Sequence, residues 1–145
     1  PISQDGTGVC NHNDGFAVSP RDCVMLLVIP DLAVNDAWGR KLADIKRDAA
    51  QPDLVSKYSA VVYDLLDSYD GLTQAEARAG ASRAPEQLAG VIRSRRATIA
   101  ANINELVTFL AISGSGPDHP ARVKALCDSI RTRVASIVPA ECKNY

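Results

Sequence analysis

Apolar residues recur at helical spacing in several separate stretches of this chain, and that pattern restricts the possible folds more than any other feature. One stretch places them four, four, three and four positions apart, at Val34, Trp38, Leu42, Ile45 and Ala49. This spacing puts all five on one face of an α-helix, and such a face must be buried against another element. The chain is therefore predicted to be all-α.

Capping residues and helix breakers set the bounds of the predicted helices. Ser19 followed by Pro20 is a typical helix start. Gly71 is placed to cap the end of one helix, and Thr73 with Glu76 forms a capping box that would begin the next. The predicted helices cover residues 20–30, 32–50, 53–70, 73–82, 85–112 and 120–138.

The length of 145 residues is that of a single domain. Turn-forming Asp, Asn and Gly residues recur through residues 1–18, which predicts an irregular arm before the helices. Residues 19–138 are expected to form a compact bundle of five to six amphipathic helices, and residues 139–145 a short tail. We therefore expect one helical domain over residues 1–145.

The chain has four cysteines, and no two of them have the short spacing of zinc or redox motifs. They lie near both ends of the chain, at Cys10, Cys23, Cys127 and Cys142. An even number with this placement indicates two disulfides, which require an oxidising compartment. The protein is therefore predicted to be extracellular, or in another oxidising compartment, and to have no metal site.

The number of possible disulfide pairings can be reduced by comparing the lengths of the chain segments between the cysteines. A helix that continues to residue 138 carries the chain about 16 Å away from Cys127, and the few residues left before Cys142 extend about 13 Å. Because disulfide-bonded Cα atoms lie about 5.5 Å apart, a bridge between these two cysteines is judged barely reachable. We therefore predict that the N-terminal cysteines pair with the C-terminal ones, in either of the two possible combinations.

Charge is divided unevenly along a chain whose net charge is −1. Residues 1–71 hold 11 acids and 6 bases, a net −5, whereas residues 72–145 hold 6 acids and 10 bases, a net +4. The near-neutral balance argues against a nucleic-acid partner. Arginines of the second half are candidates for binding another protein, although solvated arginines paired with first-half acids fit the same pattern. The candidates are Arg93, Arg95, Arg96, Arg131 and Arg133.

Motifs for catalysis or cofactor binding are missing from the sequence. It contains no Gly-x-Ser-x-Gly elbow, no Gly-x-Gly-x-x-Gly fingerprint, no phosphate-binding loop and no His-Glu-x-x-His. A base–acid pair made from the two histidines, His12 and His119, is the weakest interpretation considered. The protein is therefore predicted to be no enzyme and to use no cofactor.

The longest apolar run, residues 23–29, ends at Pro30 and is too short to span a membrane. In a carrier protein it would line a cavity between amphipathic helices. The pocket residues expected in that case are Met25, Leu26, Trp38 and Tyr58.

Two functions follow from these observations. The first is a secreted, non-enzymatic binding protein that acts by protein–protein contact, as a signal, an inhibitor or an effector. The alternative is an extracellular carrier of a small apolar ligand such as a fatty acid or a sterol. The missing catalytic motifs favour the first, because a binding role needs only a rigid fold with one specific face.

Overall fold

The described part of the protein consists of helices and the connections between them. The computed structural model describes residues 35–82 and 85–145, and within these ranges it contains no strand. The elements are α1 (Asn35–Lys46), α2 (Leu54–Ala81), α3 (Glu86–Ser113) and α4 (His119–Arg133), followed by two short 3-10 helices (Ala135–Ile137 and Ala140–Asn144). The all-α prediction is confirmed. The predicted arm at residues 1–18 and the helix predicted near residues 20–30 lie outside the described residues.

Aliphatic side chains from all four α-helices form the core. α2 and α3 have 28 residues each and pack as a long antiparallel hairpin, in which the beginning of α3 meets the end of α2. On α1, the predicted stripe is buried at Trp38, Leu42 and Ile45. The largest fully buried side chains are Ile45, Leu54, Leu65, Leu66, Leu72, Leu88, Ile92, Ile99, Ile103, Leu106 and Leu110.

The two helices predicted at residues 53–70 and 73–82 are a single helix, α2. Gly71 does not cap a helix end, and the Thr73 hydroxyl donates a hydrogen bond to the Tyr69 carbonyl 3.1 Å away, inside the same helix. A glycine in a helix costs about 1 kcal/mol, whereas burying one leucine side chain contributes about 1.5–3 kcal/mol. Leu72 is fully buried directly after the glycine, so the helix continues. Because of this merger, the predicted count of five to six helices is not matched in the described ranges, which hold four α-helices.

Two helices end earlier than predicted. α1 ends at Lys46 rather than residue 50, because residues 47–50 form tight turns and the Asp48 carboxylate is bound by two side chains of α2. α4 ends at Arg133 rather than residue 138, since Val134 leaves the helical conformation with φ −145°. The residues that follow are rich in β-branched side chains, which favour helices weakly.

The early end of α4 makes the disulfide prediction wrong. Cys127 and Cys142 are bonded to each other, with their Cα atoms 5.6 Å apart. The length argument assumed a helix to residue 138, but the chain turns back after Arg133 through the two 3-10 helices and returns to α4. Both predicted long-range pairings required Cys127 or Cys142 and are therefore excluded. Cys10 and Cys23 lie outside the described residues, so one disulfide is shown.

Arg131 holds the residues that follow α4 against that helix. Its guanidinium donates hydrogen bonds to the carbonyls of Cys142 at 2.5 Å and Tyr145 at 3.1 Å. It also forms an ion pair with Asp128 at 2.7 Å. The disulfide and this arginine thus hold the same short segment against α4. Among the described helices, none has the length and hydropathy that a membrane span requires.

Candidate binding face on helix α3

Two of the candidate arginines connect α3 to α2. Arg93 forms ion pairs with Glu86 and Glu76, which raise the pKa of its guanidinium. Arg96 pairs with Glu76 at 2.5 Å, and its guanidinium lies 5.8 Å from the centre of the Tyr69 ring. Both side chains therefore have a role within the fold, and their part in partner binding stays a prediction.

The candidate arginines of α4 are also engaged within the fold. Arg133 forms ion pairs with Asp70 and Asp67 of α2, each at 2.7 Å, and the two carboxylates raise the pKa of its guanidinium. Arg131 holds the segment after α4, as described above. The arginines of α3 meet α2 at residue 76, whereas Arg133 meets α2 at residues 67 and 70, so the two groups contact different turns of α2. Arg133 is therefore a base of the second half of the chain that is paired with acids of the first half, as the alternative interpretation of the charge pattern describes.

Arg95 differs from the other four arginines. Within the described ranges no ion-pair partner faces it, and its side chain is half-buried. It borders a surface depression of about 420 Å³ on α3. The other lining residues are Gln87, Gly90, Val91, Ser94 and Thr98.

A second depression, of about 520 Å³, lies further along α3 beside the end of α1. It is lined by Lys46, Ala101, Asn104, Glu105, Thr108 and Phe109. Its rim is fixed by α1, because the buried Trp38 donates its indole N–H to the Glu105 carboxylate at 3.2 Å. Both depressions are open to solvent rather than enclosed.

The two depressions lie along the same side of α3. Eight residues on this side are spaced four and three apart in strict alternation, which keeps them on one helical face. At 1.5 Å per residue the row is about 38 Å long, and it ends at Ile112, whose side chain is 68% exposed. We call this surface the α3 outer face; its residues are Gln87, Val91, Ser94, Thr98, Ala101, Glu105, Thr108 and Ile112.

Small and uncharged side chains predominate on the α3 outer face. Ser94, Thr98 and Ala101 are short, and Glu105 is the only charged member of the row. Charged groups are costly to remove from water on binding, and the centres of protein interfaces are depleted of them. This face therefore carries little charge, and sequence reasoning missed it because it searched for charge clusters and catalytic motifs.

The residues predicted to line a carrier pocket serve other roles where they are described. Trp38 is buried in the core and is hydrogen-bonded to Glu105. The Tyr58 hydroxyl donates to the Asp48 carboxylate, which raises the pKa of Tyr58. Hydrogen bonds from Lys57 and Tyr58 lower the pKa of Asp48, so this carboxylate holds the turn after α1 against α2. Met25 and Leu26 lie outside the described residues.

The one described histidine, His119, is a buried structural residue. Its Nε2 lies 2.9 Å from the carbonyl oxygen of Ala111, and its ring packs directly against the backbone of Gly114. His12 lies outside the described residues, so the proximity of the two histidines is not tested. Within residues 35–82 and 85–145, no group of three or more His, Cys, Asp or Glu side chains could hold a metal ion.

Comparisons with protein-family models, with curated proteins and with solved structures find no match to this chain. The functional argument therefore depends on the geometry of the α3 outer face alone.

Proposed function

We propose that this protein is a non-enzymatic binding protein that recognises another protein through the α3 outer face. The observation that carries the proposal is the face itself, which is a row about 38 Å long with two open depressions and an exposed isoleucine at one end. A surface of this length suits an extended contact with a macromolecule better than an enclosed ligand site.

The scaffold beneath the face supports this role because it is closely packed. The opposite side of α3 is fully buried at Ile99, Ile103 and Leu106, and ion pairs join α3 to α2. A preformed surface loses little conformational entropy when a partner binds, which leaves more of the contact energy as affinity.

The charged residues beside the face would set the orientation of the partner. Arg95 lies next to one depression, while Lys46 and Glu105 line the other. Charges at the edge of an interface contribute more to specificity and association rate than to affinity. The arrangement thus combines a row that has one charged member, Glu105, with the charged groups Arg95 and Lys46 at the depressions.

An oxidising compartment, most simply the outside of the cell, is part of the proposal. Its support is the Cys127–Cys142 disulfide, since structural disulfides persist in oxidising environments and are rare in the cytosol. We find no specific observation that favours the carrier function. Trp38 and Tyr58, its two described pocket residues, use their polar atoms in hydrogen bonds within the fold.

A charged, bulky substitution on the face tests the proposal. In Ala101→Arg the new side chain would project from the exposed centre of the α3 outer face and block close approach of a partner. Alanine and arginine are both strong helix formers, so the melting temperature should stay within about 2 °C of the parent value. Binding to the partner should weaken at least tenfold, as measured by calorimetric titration or surface binding.

The matched control is Ala60→Arg, which makes the same change at an exposed position of α2. The partner is identified as a protein that the parent and Ala60→Arg both capture from the source material and that Ala101→Arg does not. Equal capture by all three proteins would contradict the assignment of the α3 outer face.

A further inference from the structure

The α3 outer face repeats with the period of a seam between two helices. Its residues alternate by four and three positions from Gln87 to Ile112, which gives a mean period of about 3.5 residues. A second helix that coils slightly around α3 stays in contact with a row of this period along its whole length. The spacing therefore fits an α-helix as the element that covers this face.

Both depressions contain the kind of hole that receives a side chain when two helices pack. Such a hole lies between residues i, i+3, i+4 and i+7 of one helix. The lining of one depression includes the set that starts at Gln87, and the lining of the other includes the set that starts at Ala101. The two starting residues are two heptads apart, so one helix can insert a side chain into each depression.

The row has the same spacing in both chain directions, because its alternation starts and ends with a step of four. Two copies of α3 can therefore lie antiparallel about a two-fold axis at the centre of the row, between Thr98 and Ala101. Residues at equal distances from this centre then lie opposite each other. Ser94 of one copy meets Glu105 of the second copy in this arrangement.

Opposite charges meet in the same arrangement. Arg95 has no ion-pair partner within the described ranges, and Glu105 is the only charged member of the row. One oxygen of Glu105 accepts the Trp38 indole N–H, which leaves the other oxygen for a second donor. Because Arg95 directly follows Ser94, it lies beside Glu105 of the second copy, and the two-fold axis repeats this contact.

The sizes of the side chains match as well. Thr98 and Ala101, which meet at the centre, are short and let the axes of the two helices approach closely. At Gly90, beside Arg95, nothing lies within 4 Å of the position that a β-carbon would take. The half-buried Phe109 of the second copy lies opposite this glycine, where there is room for its ring.

Two features keep such a pairing weak. A face about 38 Å long and one helix wide, about 10 Å, buries roughly 400 Å² per copy, whereas a stable interface buries about 800 Å² per partner. Lys46 lines the same depression as Glu105, so its charge opposes the approach of Arg95 from the second copy. The dimer should therefore exchange readily with monomers.

We infer that two copies of this protein pair antiparallel through their α3 outer faces, with Arg95 of each copy bound to Glu105 of the other. This pairing rests on the proposed function, because it names what covers the same face before another protein binds. The other protein must displace the second copy, so the concentration of the chain regulates how much of it is free to bind.

Sedimentation of the purified full chain from micromolar to millimolar concentration tests the pairing. The parent should pass from monomer to dimer over this range. Arg95→Glu and Glu105→Arg each place like charges at both contacts, so each should raise the dissociation constant of the dimer at least tenfold. Arg95→Glu/Glu105→Arg restores opposite charges and should return the dissociation constant close to the parent value.

Two further variants separate the charge contact from a general effect on the fold. Lys46→Glu replaces the opposing charge with an attracting one and should tighten the dimer. The matched control is Arg122→Glu, which reverses an exposed arginine of α4 that has no ion-pair partner within the described ranges, and it should dimerise like the parent.

A parent that stays monomeric throughout the series would overturn the pairing. A dimer that Arg95→Glu leaves unchanged would overturn it too, and so would a charge-exchanged double variant as weak as the single variants. The proposed function fails by a different result, namely equal capture of a second protein by the parent, Ala101→Arg and Ala60→Arg. A monomeric parent does not affect that comparison, so the two failures are distinguishable.

Discussion

Replacing Gly114 with alanine should lower the free energy of unfolding by about 2–3 kcal/mol, as overpacking of a rigid site does. A β-carbon at this position would lie 2.5 Å from Nδ1 of His119, and closer still to Cε1. The ring cannot move away freely, because it is buried and its Nε2 is hydrogen-bonded to Ala111. The backbone of Gly114 has φ −74°, so the cost comes from the contact and not from the conformation.

A double-mutant cycle isolates this contact. In the His119→Ala background the additional cost of Gly114→Ala should fall close to zero, since the obstructing ring is gone. Gly39→Ala is the matched control, because its β-carbon would meet nothing within 4 Å, and it should stabilise α1 by about 0.5–1 kcal/mol. Urea denaturation of the four variants and the parent provides the measurement, and an undiminished cost in the His119→Ala background would refute the argument.

Removing the disulfide should have a comparable effect. The bond closes a loop with a sequence separation of 15, and a loop of this length restricts the unfolded chain by about 3 kcal/mol. The double variant Cys127→Ala/Cys142→Ala should lose roughly that amount in denaturant unfolding. Part of the lost stability concerns the segment after α4 itself. Without the disulfide, the hydrogen bonds from Arg131 would have to hold this segment against α4.

The connectivity itself is checked by peptide mapping without reduction. The peptide containing Cys127 should be recovered linked to the peptide containing Cys142. Recovery of either cysteine linked to Cys10 or Cys23 would contradict the structure, and so would a double variant as stable as the parent.

The positions of the helices could be predicted well where apolar spacing and packing agree. α3 was expected at residues 85–112 and occupies Glu86–Ser113, because its core residues keep the helical period throughout. α2 was divided in two because local signals at Gly71 and Thr73 were given more weight than the buried residues beyond them. The burial of Leu72 by tertiary contacts outweighs those signals. Rules based on local propensity do not take such contacts into account.

The wrong disulfide prediction resulted from the wrong prediction of the end of α4. The end of α4 was predicted five residues too late. The bridge between Cys127 and Cys142 was therefore judged barely reachable, and the wrong pairing was predicted. Small differences in free energy decide where a helix ends. A distance that is calculated from a predicted helix end therefore contains the full error of that prediction. Arg131, which closes the same segment, could not be assigned this role because its acceptors are backbone carbonyls.

The α3 outer face could not be found by the signals that the sequence analysis used. Its residues are small or polar, and on the sequence they resemble any solvated helix surface. What distinguishes them is the presence of two depressions, one of which is also lined by Lys46 of α1, and the exposure of Ile112. Of the candidates named from sequence, Arg95 is the one that lies beside this face.

Native mass spectrometry of the protein purified from its source tests the central claim, that the chain acts by binding another protein, most directly. We expect the chain itself to carry no small-molecule adduct, and a fraction of it to appear in a complex with a second protein. That complex should be absent when Ala101→Arg replaces the parent and present with Ala60→Arg. A stoichiometric adduct with the mass of a fatty acid or a sterol, with no protein complex, would contradict the claim and establish the carrier function in its place.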